Sequence, residues 1–410
     1  MAALNYWLWL TTRKGVGQRG VLRVLEYFGT PERVYFAQQE DLEMIPGLAP
    51  QAIRGLLDKN MEESEAILGR CDRLGVQIMT IQDADYPERL RQLSDPPAVL
   101  YILGRRIRFD EEAAIGVVGS RKPSAYGQQV APRLGLELAR CGALLVSGIA
   151  QGIDSLALRG ALKGGGSVVS VLAGGVDVPY PKENRFLYQD VAAVGALISE
   201  YPPGTPHRAE QFPIRNRLIS GLSLGVVAVE CARFSGTMRT IDHALEQNRD
   251  VFAVPGNIDA PMSQGPNWLI QQGARPVTCG EDILADYWDQ FPQKLAHAKA
   301  LEPEHLRQRL GPPPKEHKEE PKPEPQQEEP KEKPGRPKIS LSEQRERFTD
   351  DQLVVLHAML EGADTADVLV DRTQIPARRV LSALTMLQVD GAAEQRPGGR
   401  YTPLVELEQE

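Results

Sequence analysis

Six short runs of small and β-branched residues recur through the middle of the chain, at 115–118, 144–147, 168–172, 196–199, 226–229 and 251–254. A strand with one wet face alternates apolar and polar residues, whereas these runs are apolar on both faces. Stretches of helical periodicity, 129–141 and 239–247 among them, separate the runs. Parallel strands need such crossover helices. The pattern specifies an α/β fold, a doubly wound Rossmann-like domain. Such folds bind ligands beyond the carboxyl ends of their strands.

The residues at those strand ends narrow the chemistry. The first run leads into Gly119-Ser120-Arg121 and the second, ending at Ser147, into Gly148-Ile149-Ala150-Gln151-Gly152-Ile153-Asp154. The third leads into Gly174-Gly175-Val176-Asp177 and Tyr180-Pro181-Lys182-Glu183-Asn184, the fifth into Glu230 and Ser235-Gly236-Thr237. Small residues at a strand-to-helix turn let backbone N–H groups approach an anion closely. Arg121 and Lys182 add point charges to that rim, and Phe212-Pro213-Ile214-Arg215-Asn216-Arg217 brings two more arginines. One Gly-rich turn is ordinary in a doubly wound sheet. Four at one rim, with cations, indicate an anion-binding surface. Gly119-Ser120-Arg121 is not a G-x-G-x-x-G turn and no G-x-x-x-x-G-K-[ST] occurs, so no nucleotide cofactor is expected.

Residues for bond-making are sparse. None of His207, His243, His297, His305, His317 and His357 stands at a metal-ligand spacing, so no metal is expected. No nucleophile elbow is expected either. Asp154, Asp177, Glu200 and Glu230 fall near strand ends and are read as caps or acceptors of backbone N–H groups, not as acids and bases. The enzyme alternative is a nucleotide N-glycosidase of the lonely guy/lysine-decarboxylase-like type, which shares a Rossmann-like core. Its signature, P-G-G-x-G-T-x-x-E, needs a glutamate where the nearest stretch here, Phe234-Ser235-Gly236-Thr237-Met238-Arg239-Thr240, has Thr240. A protein that is not an enzyme is expected.

The flanks read differently. Residues 1–85 form short helices with glycine hairpins, Lys14-Gly15-Val16-Gly17 and Ile45-Pro46-Gly47-Leu48, as in a SAM or helix-hairpin-helix domain. Those glycines either close tight turns between packed helices or offer N–H groups to a phosphate, with Arg13, Lys14 and Arg19 nearby. The Rossmann-like domain is expected over 86–290. The stretch 302–340 holds ten prolines among Glu, Lys and Gln and reads as an extended, disordered linker. Over 348–403 a winged helix is expected: helices at 350–360 and 365–371, a third after Pro376 carrying Val380, Leu381, Leu384 and Leu387, and a wing turning at Gly398-Gly399. Its Arg378, Arg379, Arg396 and Arg400 either meet a DNA backbone or belong to a protein-interaction module.

A net charge of −8 speaks against a nucleic-acid partner only if it is evenly spread. It is not: 1–112 is net −3, 113–280 is net +3 with 15 basic and 12 acidic residues, and 281–410 is net −8. Cys71, Cys141, Cys231 and Cys279 are far apart, which suits a reducing cytoplasm. No run approaches the roughly 18 apolar residues of a membrane span. The apolar start, 1–10, lacks a basic leader and a small-residue cleavage site, so a cytoplasmic protein is expected.

Three blocks make a family resemblance specific: Val118-Gly119-Ser120-Arg121; Ser147 to Asp154 as quoted above; and Phe212-Pro213-Ile214-Arg215-Asn216-Arg217-Leu218-Ile219-Ser220-Gly221-Leu222-Ser223. Val254-Pro255-Gly256-Asn257, Asn267-Trp268-Leu269-Ile270 and Gly273-Ala274 reinforce them. In these the chain resembles the DprA/Smf family of DNA-processing proteins. The resemblance implies a cytoplasmic single-stranded-DNA-binding protein of natural transformation. Such a protein protects incoming strands, helps load the RecA recombinase, and forms a homodimer through the Rossmann-like domain. By motif, Arg121 and Lys182 match family residues that contact DNA phosphates. The turns and the resemblance together nominate Gly119, Ser120, Arg121, Ser147, Gly148, Gly152, Gly174, Gly175, Lys182, Asn184, Phe186, Arg215, Asn216, Arg217, Ser235, Gly236 and Thr237 as DNA-contacting. Phe186 and Tyr180 are the candidate stacking rings. Leu158, the run Met238-Arg239-Thr240-Ile241-Asp242, and Gly265-Pro266-Asn267 depart from the family pattern.

Overall fold

The computed structural model describes residues 2–296, 338–396 and 400–408, and the chain divides into two compact units, Met1–Pro313 and Pro314–Glu410. The strands of the first unit are β1 (Gln77–Thr80), β2 (Val99–Gly104), β3 (Ala114–Val118), β4 (Leu144–Ser147), β5 (Val168–Val171), β6 (Ala196–Ser199), β7 (Gly225–Ala228), β8 (Asp250–Ala253) and β9 (Arg275–Pro276). They form one sheet in the order β1-β2-β6-β5-β4-β3-β7-β8-β9. From β6 to β9 all neighbours are parallel. The six expected runs are β3 to β8, each within one residue of its expected bounds.

Both faces of the sheet are covered, as the uninterrupted apolar runs require. On β3, Ile115 and Val117 enter one core layer and Ala114 and Val118 the other. The first layer is closed by the helices Ala125–Arg140, Ile153–Lys163 and Arg185–Val194, and the second by Gln211–Leu222, Gly236–Glu246 and Gln264–Gln271. Each fully buried Val or Leu contributes roughly 1.5–3 kcal/mol relative to exposure.

β1 and β2 were not expected. β1 pairs antiparallel with β2, and β2 with β6, so the sheet begins inside the stretch assigned to the helical segment. The helices before them merge with the first core layer through Trp9, Leu42 and Leu56. Among the hairpin glycines there, Gly47 accepts a hydrogen bond from the Arg23 guanidinium, and a Cβ on Gly15 would strike Gln51. Arg13 is buried between Asp58 (3.2 Å) and Glu63 (3.5 Å), out of reach of a phosphate.

The second unit has the helices Leu341–Arg347, Asp350–Leu360, Ala366–Thr373 and Ala377–Val389, then an antiparallel pair, Ala393–Arg396 with Arg400–Pro403. Val355, Leu356, Leu369, Val380, Leu384 and Leu387 form its core. Of the linker expected over 302–340, residues 302–337 lie outside the described residues, as do the wing turn at Gly398-Gly399 and His297, His305 and His317. The end of that linker is a correction, since Lys338–Ile339 is a strand paired parallel with Glu406–Leu407 and Ser340 caps the helix Leu341–Arg347. Among the described residues, no helix is long and apolar enough to cross a membrane, and no cluster of His, Cys, Asp and Glu is arranged to hold a metal ion.

Candidate nucleic-acid interface

The strand order reverses beside β3. The chain steps from β3 through β4 and β5 to β6 on one side, then returns to β7 and β8 on the other. Such a reversal leaves a crevice at the carboxyl ends of the strands. A cleft of about 630 Å³ opens there, lined by the turns after β3 (Val118, Gly119, Ser120, Arg121) and β7 (Cys231, Ala232, Ser235, Gly236, Thr237) and by one face of the helix Gln211–Leu222.

The floor is fixed by turns bonded to one another. Ser120 N–H donates to Glu230 O (2.6 Å), and Ile153 N–H donates to Ser120 O (3.1 Å). Gly152, at φ +83, lies so close to Ser120 and Arg121 that a Cβ there would collide with their backbone. Ile149 is a β-branched residue in the left-handed region (φ 53), held by Asn184 Nδ2 donating to its carbonyl at 3.0 Å. Ser147 Oγ donates to Val117 O at 2.7 Å. Ser147, Gly152 and Asn184 therefore shape the site from below.

Four carboxylates near the strand ends are all engaged. Glu230 accepts from Ser124 N–H (2.9 Å) and Ser124 Oγ (2.5 Å) at the start of Ala125–Arg140. Asp177 pairs with Arg70, and Glu200 with Arg217. Asp154, the acid that lines the cleft, accepts from Gly148 N–H at 3.2 Å. Burial pushes its carboxyl up to about 6, while the charge of Arg215 and several hydrogen bonds pull it back. Arg215 is itself buried, donating to Gly148 O (3.0 Å) and to Val171 O. It braces the floor and presses against Gly148, where a Cβ would meet its guanidinium.

One wall is made of rings. Tyr180 stacks on His207 at 5.2 Å between centroids and tilts against Phe212 at 5.5 Å. The Arg121 guanidinium lies over the Phe212 ring at 5.3 Å. Arg121 is exposed, and among the described residues it has no carboxylate partner. His207 Nε2 donates to Val178 O (2.7 Å), and burial lowers the pKa of its ring. Beyond Tyr180 a shallower depression is lined by Val178, Lys182, Arg185 and Phe186. Phe186 is exposed there, with Arg185 over its ring at 4.5 Å.

The nominated residues thus separate. Gly119, Ser120, Arg121, Arg215, Asn216, Ser235, Gly236 and Thr237 line the cleft, and Lys182 and Phe186 line the depression beside it. Gly174 packs against Thr205 and His207, and Gly175 against Gly204 and Asp177, behind the ring wall. Arg217 is a correction. It is buried, with Nη2 2.7 Å from Glu200 and 2.6 Å from Gln18, and Nε 3.1 Å from Asp95. It seals the helical segment to the sheet domain and faces away from the cleft. Cleft residues not nominated from the sequence include His207, Phe212 as a ring, and Arg239, which shares a helical face with Gly236 and Thr240. The string Gly221-Leu222-Ser223-Leu224-Gly225 does match G-x-S-x-G. It runs from helix to strand, the reverse of an elbow, and the buried Ser223 Oγ donates to Ile219 O at 2.7 Å.

The chain thus carries a doubly wound, Rossmann-like domain with a cationic, ring-walled cleft at its reversal point. Residues 77–288 match the family described as DNA recombination-mediator protein A, and residues 320–399 match the DprA winged helix domain. The chain is 31% identical to Protein Smf of Synechocystis sp. over 97% of its length and 98% of that protein. It is 34% identical to the DNA processing protein DprA of Streptococcus pneumoniae over 70% of this chain and 99% of that one. The X-ray structure of the S. pneumoniae protein superposes with a TM-score of 0.61 at 33% identity, covering 69% of this chain and 97% of that one. The chain belongs to the DprA/Smf family.

Proposed function

We propose that the cleft binds single-stranded DNA, and that the chain is a DNA-processing protein of natural transformation. In this reading it protects an incoming strand in the cytoplasm and helps load RecA onto it, acting as a homodimer through the α/β domain. The observation that carries the reading is the unpaired Arg121 set over Phe212, beside the Tyr180–His207 stack. A guanidinium neutralises a phosphate and releases its counterions, without reading sequence. Rings spaced along a groove accept bases that are free to unstack, and a duplex hides those faces. Arg185 over Phe186, with Lys182 lining the same depression, repeats the pairing of cation and ring further along.

Binding of this kind makes no bond, so the chain is read as a non-enzyme. A nucleotide glycosidase would need a carboxylate at Thr240. That threonine is buried in the cleft wall, and the nearby Asp154 is tied to Gly148 and Arg215. Fluorescence anisotropy with a labelled single strand and its duplex tests the reading. Tighter binding of the single strand, lost in Arg121→Ala and Lys182→Ala, is expected. Equal affinity for duplex, or turnover of nucleoside monophosphates without strand binding, contradicts it.

A further inference from the structure

Arg70 lies outside the cleft, on the helix Glu62–Leu74 of the N-terminal segment. Its Nη2 and Nε both donate to Asp177 Oδ2, at 2.6 and 3.1 Å. The other oxygen, Oδ1, accepts from Gly204 N–H at 2.6 Å. Gly204 has φ +87, and its α-carbon faces the Arg70 guanidinium so closely that a Cβ would strike it. The Asp177 side chain is 11% exposed, so the carboxylate is largely enclosed by these partners.

One carboxylate thereby joins three segments. Asp177 itself sits in the segment after β5, which carries Tyr180 and Lys182 and leads into the helix that holds Phe186. Gly204 sits in the loop after β6, which leads to His207 and Phe212. Backbone and side-chain bonds tie the two loops to each other, Gly175 N–H to Thr205 O (2.9 Å) and His207 Nε2 to Val178 O (2.7 Å). Arg70 ties the joined pair to a helix anchored in the main core. The Tyr180–His207 stack bridges the same two loops, so the ring wall inherits whatever register Arg70 imposes. The turn that carries Arg121 has its own bonds, to Glu230 and Ile153, and none of them passes through Asp177.

We propose that Arg70 is a positioning residue: through Asp177 it sets the two ring-bearing loops at the spacing unpaired bases require, and leaves the phosphate-binding turn at Arg121 alone. The N-terminal segment then tunes the base-contacting wall of the cleft. The inference rests on the single-strand reading above. Its chemistry separates from that reading because bases and phosphates can be offered apart.

The test uses the full chain and two probes of equal length, an oligothymidylate and an abasic oligonucleotide with the same phosphates. In Arg70→Ala, affinity for the oligothymidylate falls roughly ten-fold, the order of one stacked base. Affinity for the abasic strand falls less, about two- to three-fold, because the loop that shifts also carries Lys182 while the Arg121 turn keeps its own bonds. Arg70→Lys keeps the charge without the planar fork and recovers part of the loss; it carries the same comparison should Arg70→Ala fail to fold. Arg121→Ala is the control and weakens both probes. If Arg121→Ala weakens both while Arg70→Ala binds as the unsubstituted chain, the Arg70 assignment is overturned and the site stands. An equal loss on both probes in Arg70→Ala also overturns it, since that is general damage. If Arg121→Ala changes neither probe, the site reading itself fails.

Discussion

In the cleft, Arg121 is exposed over a ring and has no acidic partner among the described residues. In the winged-helix unit, Arg379 holds Asp351 through two hydrogen bonds of 2.6 and 2.7 Å, Arg400 lies 3.6 Å from Asp364, and Arg372 lies 3.7 Å from Glu361. Arg378 is exposed there, but its helix Ala377–Val389 turns Leu381, Met386 and Val389 to solvent as well. A cation already neutralised has little left to offer a phosphate, and releasing it from its carboxylate costs what the contact would return. Where a charge is paired therefore matters more than how many charges a domain holds. The α/β segment exceeds neutrality by only three, yet at its rim Arg121 and Lys182 have no carboxylate partner among the described residues.

The strongest way to break that contrast is at Arg217, which is paired and buried. Arg217→Ala leaves Glu200 enclosed without its counter-charge and costs about 3–5 kcal/mol of stability. Folded molecules still bind DNA within two-fold of normal. Denaturant unfolding with a parallel binding titration checks both halves, and a binding loss without a stability loss would return Arg217 to the site.

Asp154 sharpens the contrast from the acid side. Its carboxyl is pushed up to about 6 by burial, so the fold favours the protonated form. Its contribution to stability is full below about pH 4 and is lost as pH rises through about 6, at most about 1.4 kcal/mol per pH unit. In Asp154→Asn that component vanishes, and the profile of Tm against pH between those values flattens. Parallel profiles would show that Asp154 titrates normally.

At the rim itself, Arg121→Ala costs about 1.5–3 kcal/mol of binding, the range for a hydrogen bond to a charged group, with Tm little changed. In the winged-helix unit, Arg379→Ala shifts affinity less than two-fold. A larger loss at Arg379 than at Arg121, in one anisotropy series, would invert the comparison.

Much of this was legible in the sequence, for identifiable reasons. Runs apolar on both faces have no home except a covered parallel sheet, so β3 to β8 stood out. β2 did not, because Pro96-Pro97 before it reads as a connector. β1 and β2 are antiparallel additions, joined to the rest of the sheet through β6, which lies far along the chain. Arg215 and Arg217 sit two apart on one helix, about 200° around its axis, so they cannot share a face. The cleft takes Phe212, Arg215, Asn216 and Ile219, the stripe a 3.6-residue period selects. That period would have excluded Arg217 and brought in Phe212 and Arg239. His207 had no such signal: it stands in an irregular segment, and bonds between two loops, Gly175 to Thr205 among them, bring it to Tyr180.

Titrating single-stranded DNA with the full chain across a series of salt concentrations tests whether the free arginine at the rim carries the electrostatic binding. Each phosphate neutralised on a single strand adds about 0.7 to the slope of log affinity against log salt. Arg121→Ala should lower that slope by about 0.7, with Arg379→Ala leaving it unchanged. Equal slopes for the unsubstituted chain and Arg121→Ala would contradict the assignment of Arg121 as a phosphate contact.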